Sequence, residues 1–221
     1  MIAILIQSRL GSTRLPMKAL LPLGDSTVLG QVIRRCKRAE ADKVIVVTKD
    51  PEIADVASIE GVESSMSPSG ERDVLAEMYL AASMSGADTI VRITGDCPAV
   101  SPKEIDQMIA LYGESGRDII CNHSDAITGA GIDGLDIEVM SFEALEKAYK
   151  QATSGYDREH VCTWIYDNLK HSQPYFDWDF DEKLSIDTKE DYDKVFAIFE
   201  NLGSEFETRD IMNYFKEKEN E

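Results

Sequence analysis

Short apolar runs alternate with segments of helical periodicity along the first half of this chain. The run IAILIQ at residues 2–7 ends at a cluster of Gly, Ser and Thr, and KVIVVT at residues 43–48 is a second run of the same kind. Such runs are typical of strands buried on both faces of a parallel sheet. Between them, residues 27–39 carry apolar side chains at helical spacing. This order predicts right-handed βαβ units, and therefore an α/β fold with a mostly parallel central sheet.

The remaining residues extend the same alternation. Ser64–Gly70 is predicted as a loop, because Ser, Pro and Gly dominate it. Residues 134–141, GLDIEVMS, alternate apolar and acidic side chains, which is the period of a strand. Further strands are predicted over residues 87–96, 118–123 and 183–186, and further helices over residues 51–61, 73–84, 102–112, 141–151, 158–169, 188–202 and 208–218. No Pro-rich or Ser-rich linker divides the chain, so we predict one domain over residues 1–221 with a frayed tail over residues 214–221.

Composition and charge narrow the class of protein. With 221 residues and 43% apolar content, the chain can bury one substantial core. A net charge of −18 opposes binding to nucleic acid and to anionic membrane surfaces. No apolar stretch approaches the roughly 20 residues of a membrane span, and the four cysteines form no CxxC pair that would indicate a zinc site. We therefore expect a soluble, cytoplasmic protein with reduced cysteines.

Positive charge is concentrated at the start of this acidic chain. Residues 1–50 hold nine Lys or Arg and four Asp or Glu, a net charge of +5, which leaves −23 for the other 171 residues. The basic residues of the first predicted helix fit a solvated helix face. Arg9, Arg14 and Lys18 lie instead in the loop between the first strand and that helix.

This loop, QSRLGSTRLPMK, has the position and chemistry of a phosphate site. It follows a strand of a predicted parallel sheet, and α/β folds bind ligands at that edge. Gly11 lets the backbone approach an anion, and the three cations supply charge-assisted hydrogen bonds to a polyphosphate. The loop contains neither GxxxxGK[ST] nor GxGxxG. A basic surface loop without a ligand is the alternative.

Several motifs in order resemble a known family. R-x-x-S-T-R-L-P-x-K after the first strand is similar to the signature of the CMP-sugar synthetases, a cytidylyltransferase family that includes CMP-Kdo synthetase and acylneuraminate cytidylyltransferase. The resemblance runs from Met1 to about Glu200 and is closest to the branch of the spore coat polysaccharide biosynthesis protein F. Met17 departs from it, because the family usually has Gly there. The motifs that carry it also include RITGDCP at 92–98, GLDIEV at 134–139, SFEALE at 141–146, REHV at 158–161 and IDT at 186–188.

The resemblance implies a three-layer fold like that of the nucleotide-diphospho-sugar transferases, which is Rossmann-like. It implies a Mg²⁺-dependent nucleotidyltransferase that moves CMP from CTP to a sugar or sugar acid and releases pyrophosphate, for surface polysaccharide or glycoconjugate synthesis. CTP, or another NTP, and a small sugar-like acceptor are the expected partners. We also expect a homodimer, since homodimers are frequent among similar proteins.

Two aspartates could hold the metal. Asp96 ends a predicted strand and should project over the same sheet edge as the cationic loop, and Asp187 follows the predicted strand over residues 183–186. Mg²⁺ prefers one or two carboxylates together with phosphate oxygens. By resemblance, Asp96 and Asp187 are the metal-binding positions of the family. Capping of the helix that starts near Thr188 is a role that Asp187 could combine with metal binding.

Further candidates concern the nucleotide and the acceptor. The resemblance places Gly70, Glu71 and Asp73 near the nucleotide, beside Gly11, Ser12 and Thr13 of the loop. On a strand, Asp136 and Glu138 would share a face and could bind sugar hydroxyls. Arg158, Glu159 and His160 could bind or orient an acceptor carboxylate, or could simply form a solvated helix start.

The predicted chemistry is in-line attack of an acceptor hydroxyl on the α-phosphorus of CTP. Arg9, Arg14, Lys18 and Asp96 are the predicted catalytic residues, because positioning and charge stabilisation need no protein nucleophile. Two alternatives stay open. One is nucleotidyl transfer to a sugar 1-phosphate or another phosphorylated alcohol, and the other is a non-catalytic nucleotide or sugar binder.

Overall fold

The computed structural model describes residues 1–67, 73–122 and 132–219, which form a seven-stranded sheet and a separate two-stranded ribbon. The strands are β1 Ile2–Gln7, β2 Pro22–Leu23, β3 Ser26–Thr27, β4 Lys43–Thr48, β5 Glu63–Met66, β6 Thr89–Thr94, β7 Ile119–Cys121, β8 Glu138–Ser141 and β9 His171–Ser172. The helices in the described ranges are α1 Val28–Cys36, α2 Pro51–Ile59, α3 Val74–Ser85, α4 Pro102–Ser115, α5 Phe142–Gln151, α6 Gly155–His160, α7 Thr163–Asn168, α8 Lys189–Leu202 and α9 Thr208–Glu219. A 3₁₀ helix covers Lys18–Leu20.

The sheet has the strand order β5-β4-β1-β6-β8-β7-β9, and β2 pairs with β3 in the ribbon. β1 is parallel to β4 and β6, and β4 is parallel to β5. β8 is antiparallel to β6 and β7, whereas β9 is parallel to β7. Among the described strands of this sheet, β8 alone is reversed, which confirms the predicted mostly parallel sheet.

Helices cover both faces of the sheet. In β1, Ala3 and Leu5 pack with α3, α5 and α7, whereas Ile4 and Ile6 pack with α1, α2 and α4. Because successive strand residues point to opposite faces, a continuous apolar run is what a strand covered on both sides requires. This three-layer α/β arrangement confirms the predicted fold class. No helix in the described part of the chain is long and apolar enough to cross a membrane.

Two strand predictions were wrong. The edge strand β5, Glu63–Met66, overlaps the predicted loop from Ser64 onward, and its mostly exposed polar side chains conceal it from a periodicity argument. Residues 183–186 form no strand, although Leu184 and Ile186 are buried. Their backbone bonds to loops instead, since the Leu184 amide donates to the Asp133 carbonyl over 2.7 Å.

Three further predictions need correction. The strand predicted for residues 134–141 begins only at Glu138. The helix predicted over residues 158–169 is divided into α6 and α7 at Val161, where φ is 59° and the Cys162 amide donates to the carbonyl two residues earlier. The tail predicted to fray from residue 214 continues as α9 to Glu219, because Tyr214 is buried and Phe215 stacks on Phe180.

Candidate active site

The ends of β1 and β6 form the floor of the site. Gln7 lies opposite Thr94 in the parallel register, and the Gly95 amide donates to the Gln7 carbonyl over 2.8 Å. A Cβ on Gly95 would lie 2.7 Å from the Cβ and Oγ of Ser8. Glycine is therefore needed where the two strand ends diverge into their loops, and Asp96 follows directly after it.

The loop after β1 forms one wall of a cavity of about 410 Å³. Its first part is fixed by Asp50, whose carboxylate accepts the Leu10 amide over 2.7 Å. Its end is fixed by Lys18. Apart from its chain neighbours, no atom of the described residues lies within 4 Å of a Cβ built on Gly11, so the backbone is open there. The cavity is lined by Gln7, Ser8, Arg9, Gly11, Ser12, Thr13, Arg14, Lys18, Ala19, Thr94, Gly95, Asp96 and Asp187.

Lys18 joins the two predicted metal ligands. Its ammonium donates to Asp96 Oδ2 over 2.6 Å, to Asp187 Oδ1 over 2.9 Å and to the Ile186 carbonyl over 2.6 Å. Only 12% of its side chain is exposed. Burial alone would lower the pKa of Lys18, but the two carboxylates outweigh it and raise that pKa. Lys18 is thus held as a cation between two anions.

Asp187 is surrounded by positive charge. Arg14 Nη2 lies 2.9 Å from Oδ1, beside Lys18, and Lys183 Nζ lies 2.8 Å from Oδ2. Burial opposes ionisation of Asp187, but the hydrogen bonds from Lys183 and Lys18 outweigh it and lower its pKa to about 2. The carboxylate therefore stays ionised throughout the neutral pH range.

The lowered pKa predicts how acid weakens the fold. Because folding lowers the pKa of Asp187 from its ordinary 3.8 to about 2, the ionised group stabilises the folded protein above about pH 4, and this contribution is lost as the pH falls towards 2. The stability advantage of wild type over Asp187→Asn should therefore shrink between those pH values. Urea unfolding at several pH values measures it. Asp55→Asn, at an exposed site on α2, is the control, and parallel pH curves for both variants would contradict the prediction.

The donor set suits a divalent cation of the Mg²⁺ type. Among the described residues, no group of three or more His, Cys, Asp and Glu side chains could hold a metal by protein ligands alone. Asp96 and Asp187 nevertheless place oxygens within hydrogen-bond distance of one cationic atom, Lys18 Nζ. Two carboxylates completed by phosphate oxygens are the ligands that Mg²⁺ prefers. The residues present therefore fit such a metal together with a bound nucleotide.

A second cavity of about 300 Å³ adjoins the first and shares Thr94, Asp96 and Asp187 with it. Asp136 and Glu138 both line it, although Asp136 lies before β8 and accepts the Gly134 amide over 2.8 Å. The lining residues are Arg92, Thr94, Asp96, Cys97, Asp133, Asp136, Glu138, Ser185 and Asp187.

Close backbone packing brings the walls of the second cavity together. Gly134 has φ of 105°, and a Cβ there would lie 2.1 Å from the Ser185 amide nitrogen. Only glycine allows this approach, which places Asp133 and Asp136 next to the segment that carries Asp187. The glycine of the GLDIEV motif therefore allows this close backbone packing, and its two acidic residues line the second cavity.

Glu138 belongs to a buried polar network. It accepts from Arg92 and from the hydroxyl of Tyr166, the latter over 2.7 Å, and Arg92 also donates to Gln7 over 2.8 Å. Burial would lower the pKa of Arg92, but Glu138 outweighs it and raises that pKa. Burial has the opposite effect on the Tyr166 hydroxyl and raises its pKa. This network fixes Glu138 beneath the cavity, so its predicted contact with sugar hydroxyls has to compete with these bonds.

The REHV motif forms the C-terminal end of α6. Arg158 is bound to Asp73 through Nε, 3.0 Å from each carboxylate oxygen, and also to the Tyr149 carbonyl over 2.9 Å. Asp73 also caps α3. These two predicted ligand residues therefore hold α3, α5 and α6 together in this structure, and neither lines either cavity.

Glu159 and His160 belong to the same motif. Glu159 Oε1 lies 3.6 Å from Arg9 Nη2, which links α6 to the cationic loop after β1. His160 is exposed, and the centroid of its ring lies 4.3 Å from that of the Tyr156 ring. Their predicted acceptor roles stay predictions. Gly70 and Glu71, also predicted near the nucleotide, lie outside the described residues.

Met17 shows why glycine is usual at its position. Its φ of 57° and ψ of 23° place it in the left-handed region, immediately before the turn that carries Lys18. This conformation costs a residue with a Cβ roughly 1–2 kcal/mol. The loop thus keeps the backbone path that glycine would favour, at some cost in stability.

Met17→Gly should stabilise the protein. Relief of the strain exceeds the extra unfolded-state entropy of glycine, so we expect a gain of about 1 kcal/mol, or a rise in melting temperature of about 2–4 °C. Thermal unfolding measures it. Leu80→Gly is the control, because Leu80 is exposed in the interior of α3 and glycine destabilises a helix interior by about 1 kcal/mol. A fall in melting temperature for both variants would contradict the prediction.

Some site residues were not predicted. Arg92 is a charged residue within an apolar strand, and Gln7 and Thr94 are polar residues at strand ends, so the sequence did carry a signal for these three. Lys183 and Asp133 gave no such signal, because their importance depends on contacts with distant segments.

Comparison with known proteins identifies similar sequences and structures. Residues 3–219 match the sequence model of a family described as cytidylyltransferase. The spore coat polysaccharide biosynthesis protein SpsF of Bacillus subtilis is 29% identical over 91% of this chain and 88% of its own length. The uncharacterized protein MJ1063 of Methanocaldococcus jannaschii is 37% identical over 74% of this chain and 66% of its own length.

A solved cytidylyltransferase from Leptospira borgpetersenii superposes with a TM-score of 0.89, at 32% identity, over 99% of this chain and 95% of its own. The 3-deoxy-manno-octulosonate cytidylyltransferase of Leptothrix cholodnii is 33% identical over 60% of this chain. The match spans 47% of that relative, so the chain covers about half of its length. The resemblance predicted from the motifs is confirmed.

Proposed function

The chain belongs to the cytidylyltransferase family, and from that premise we propose that it transfers CMP from CTP to a hydroxyl group of a sugar or sugar acid. Pyrophosphate is the second product. The observation that carries this proposal is the position of Lys18, bound to both Asp96 and Asp187 where the two cavities meet. A triphosphate in one cavity and an acceptor in the other would react there.

The cavity of about 410 Å³ is assigned to the nucleotide phosphates. Arg9, Arg14 and Lys18 line it, and the side chains of Arg9 and Arg14 are 38% and 62% exposed. Cations placed where negative charge develops stabilise the transition state more than the ground state. These three residues would neutralise the β- and γ-phosphates and the departing pyrophosphate.

The reaction needs no covalent intermediate on the protein. The acceptor oxygen bonds to the α-phosphorus, and the bond from that phosphorus to the bridging oxygen of the β-phosphate breaks. The hydroxyl proton passes to solvent or to a carboxylate of the second cavity. Cys97 is a poor nucleophile there, because burial, with Asp96 and Asp136 nearby, raises the pKa of its thiol. Positioning and charge therefore account for the rate.

We propose that Asp96 and Asp187 hold Mg²⁺ when the nucleotide binds. When bound, Mg²⁺ supplies a Lewis acid at the α-phosphate and neutralises developing charge. Lys18 then exchanges its carboxylate partners for phosphate oxygens, for which its ammonium is equally suited. The two aspartates keep the negative charge needed to attract a divalent cation.

The lining of the second cavity favours an acceptor without a phosphate group. Five carboxylates line it, from Asp96, Asp133, Asp136, Glu138 and Asp187. Arg92 is the one Lys or Arg among its described lining residues, and it already binds Glu138 and Gln7. A phosphate dianion would meet more repulsion there than a hydroxyl group or a single carboxylate. Transfer to a sugar 1-phosphate is therefore the less favoured alternative.

Pyrophosphate release tests the proposal directly. The protein is incubated with Mg²⁺, each of the four NTPs in turn, and a panel of keto-acid sugars, neutral sugars and sugar 1-phosphates. We expect release with CTP and a non-phosphorylated sugar. Release only with a sugar 1-phosphate would support the phosphorylated-alcohol alternative, and binding of nucleotide without release in any mixture would favour a non-catalytic binder. The homodimer and the cytoplasmic location stay predictions.

A further inference from the structure

Lys183 lies behind the predicted metal ligand Asp187 and outside both cavities. Its ammonium is 2.8 Å from Asp187 Oδ2, 3.2 Å from Asp191 Oδ2 and 3.9 Å from Asp133 Oδ2. We propose that Lys183 is a positioning residue, which holds the Asp187 carboxylate in one orientation and compensates its charge throughout turnover. The proposal rests on the proposed function, since it assigns the support of that same site.

The two oxygens of Asp187 have different partners. Oδ1 is bound by Lys18 and Arg14, which line the cavity assigned to the phosphates. Oδ2 is bound by Lys183, which is not among the described residues that line either cavity. A nucleotide therefore competes for the cations on Oδ1 and leaves the cation on Oδ2 in place.

This division matters when the phosphates bind. Lys18 and Arg14 are needed by the triphosphate, so Asp187 loses part of their charge at that moment. Between the departure of these cations and the arrival of Mg²⁺, a carboxylate with 23% exposure and no other cation would be costly to keep ionised. Lys183 removes that cost and leaves Oδ1 directed towards the cavity.

Lys183 is itself fixed by the start of α8. Asp191 Oδ2 accepts the backbone amides of Asp187 over 3.0 Å and Thr188 over 2.9 Å, as part of the capping box of that helix. The same oxygen accepts from Lys183. The ammonium is thus held by a rigid helix terminus, a support that helps to fix the geometry of a metal ligand.

Lys183 also approaches the second cavity. Asp133, which lines that cavity, places Oδ2 3.9 Å from the same ammonium, and its carbonyl accepts the amides of Leu184 and Ser185 over 2.7 and 3.1 Å. One cation therefore stands between an acid of the acceptor cavity and a predicted metal ligand. Its removal should loosen Asp187 without removing any group that touches substrate.

The test compares Lys183→Gln, Lys183→Arg and Lys194→Gln. Lys194 is the matched control, because it pairs with one carboxylate, Glu182, and its side chain is 35% exposed against 32% for Lys183. Loss of a residue that supports a metal ligand typically lowers metal affinity or activity by about 10–100-fold. We expect a loss of that size in Lys183→Gln for both kcat and Mn²⁺ affinity, a smaller loss in Lys183→Arg, and none in Lys194→Gln.

Mn²⁺ affinity is measured by electron paramagnetic resonance, with CTP present and no acceptor, so it does not depend on turnover. Equal Mn²⁺ affinity and kcat in Lys183→Gln and Lys194→Gln would overturn the proposal. If thermal unfolding shows that Lys183→Gln is not folded, the test rests on Lys183→Arg. Wild-type Mn²⁺ affinity and kcat in Lys183→Arg would then contradict a role that depends on the position of the ammonium. A wild-type protein without pyrophosphate release would refute the proposed function, whereas the Mn²⁺ comparison would still test Lys183.

Discussion

Replacing Lys18 by methionine should lower the rate of pyrophosphate release by at least about a hundredfold, the scale for removing a charge-stabilising group. It should also destabilise the nucleotide-free protein. Lys18 is the residue that binds both Asp96 and Asp187, at 2.6 and 2.9 Å. Without it, two partly buried carboxylates face one another with less compensation, and losing a hydrogen bond to a charged group typically costs about 1.5–3 kcal/mol.

Magnesium gives this prediction a second measurement. Because a divalent cation can replace the missing ammonium between the two carboxylates, Mg²⁺ should raise the melting temperature of Lys18→Met more than that of wild type. Lys43→Met is the control, since Lys43 is also partly buried but donates to the Ser85 carbonyl, away from the site. Wild-type turnover in Lys18→Met would refute the assignment of Lys18. An equal response to Mg²⁺ in both proteins would count against a metal at Asp96 and Asp187.

Asp96→Asn should reduce turnover by about a hundredfold while leaving the fold intact. The amide has nearly the same shape, but it removes the negative charge at the point that the two cavities share. Stability should change little, because Lys18 keeps Asp187 and the Ile186 carbonyl as partners. The loss should appear mainly in kcat rather than in CTP affinity, since the cations that would grip the phosphates remain.

Steady-state pyrophosphate release and calorimetric CTP binding separate these effects. Asp106→Asn is the matched control, because Asp106 also accepts a hydrogen bond, from the Glu40 amide over 2.6 Å, but lies away from both cavities. Full activity in Asp96→Asn would refute its catalytic assignment. A loss confined to CTP affinity would make Asp96 a binding residue without a role in the chemical step.

Two predicted ligand residues, Arg158 and Asp73, illustrate how far a motif can be interpreted. Arg158 and Asp73 are 85 residues apart, and the sequence assigned one to the acceptor and the other to the nucleotide. In the structure they bind each other and connect α3 to α6. A motif reports that residue types are retained together, but not whether their charges meet a ligand or each other.

The prediction of strands from hydrophobic periodicity had a similar limit. β5 was not predicted, because an exposed edge strand has no apolar face to leave a period in the sequence. The segment over residues 183–186 was predicted as a strand and carries apolar residues at Leu184 and Ile186. Its backbone bonds to the Asp133 and Asp96 carbonyls instead of to a neighbouring strand.

The sequence by itself determined the α/β class, the position of the cationic loop after β1 and the place of Asp96 just after β6. These features depend on local periodicity and on the rule that parallel strands end at one sheet edge. The tertiary structure decided which charges meet. Lys18 reaches Asp96 across 78 positions of the chain and Asp187 across 169. Such contacts follow from packing between distant segments, which local patterns do not encode, and they turn a basic loop into one part of a paired-charge site.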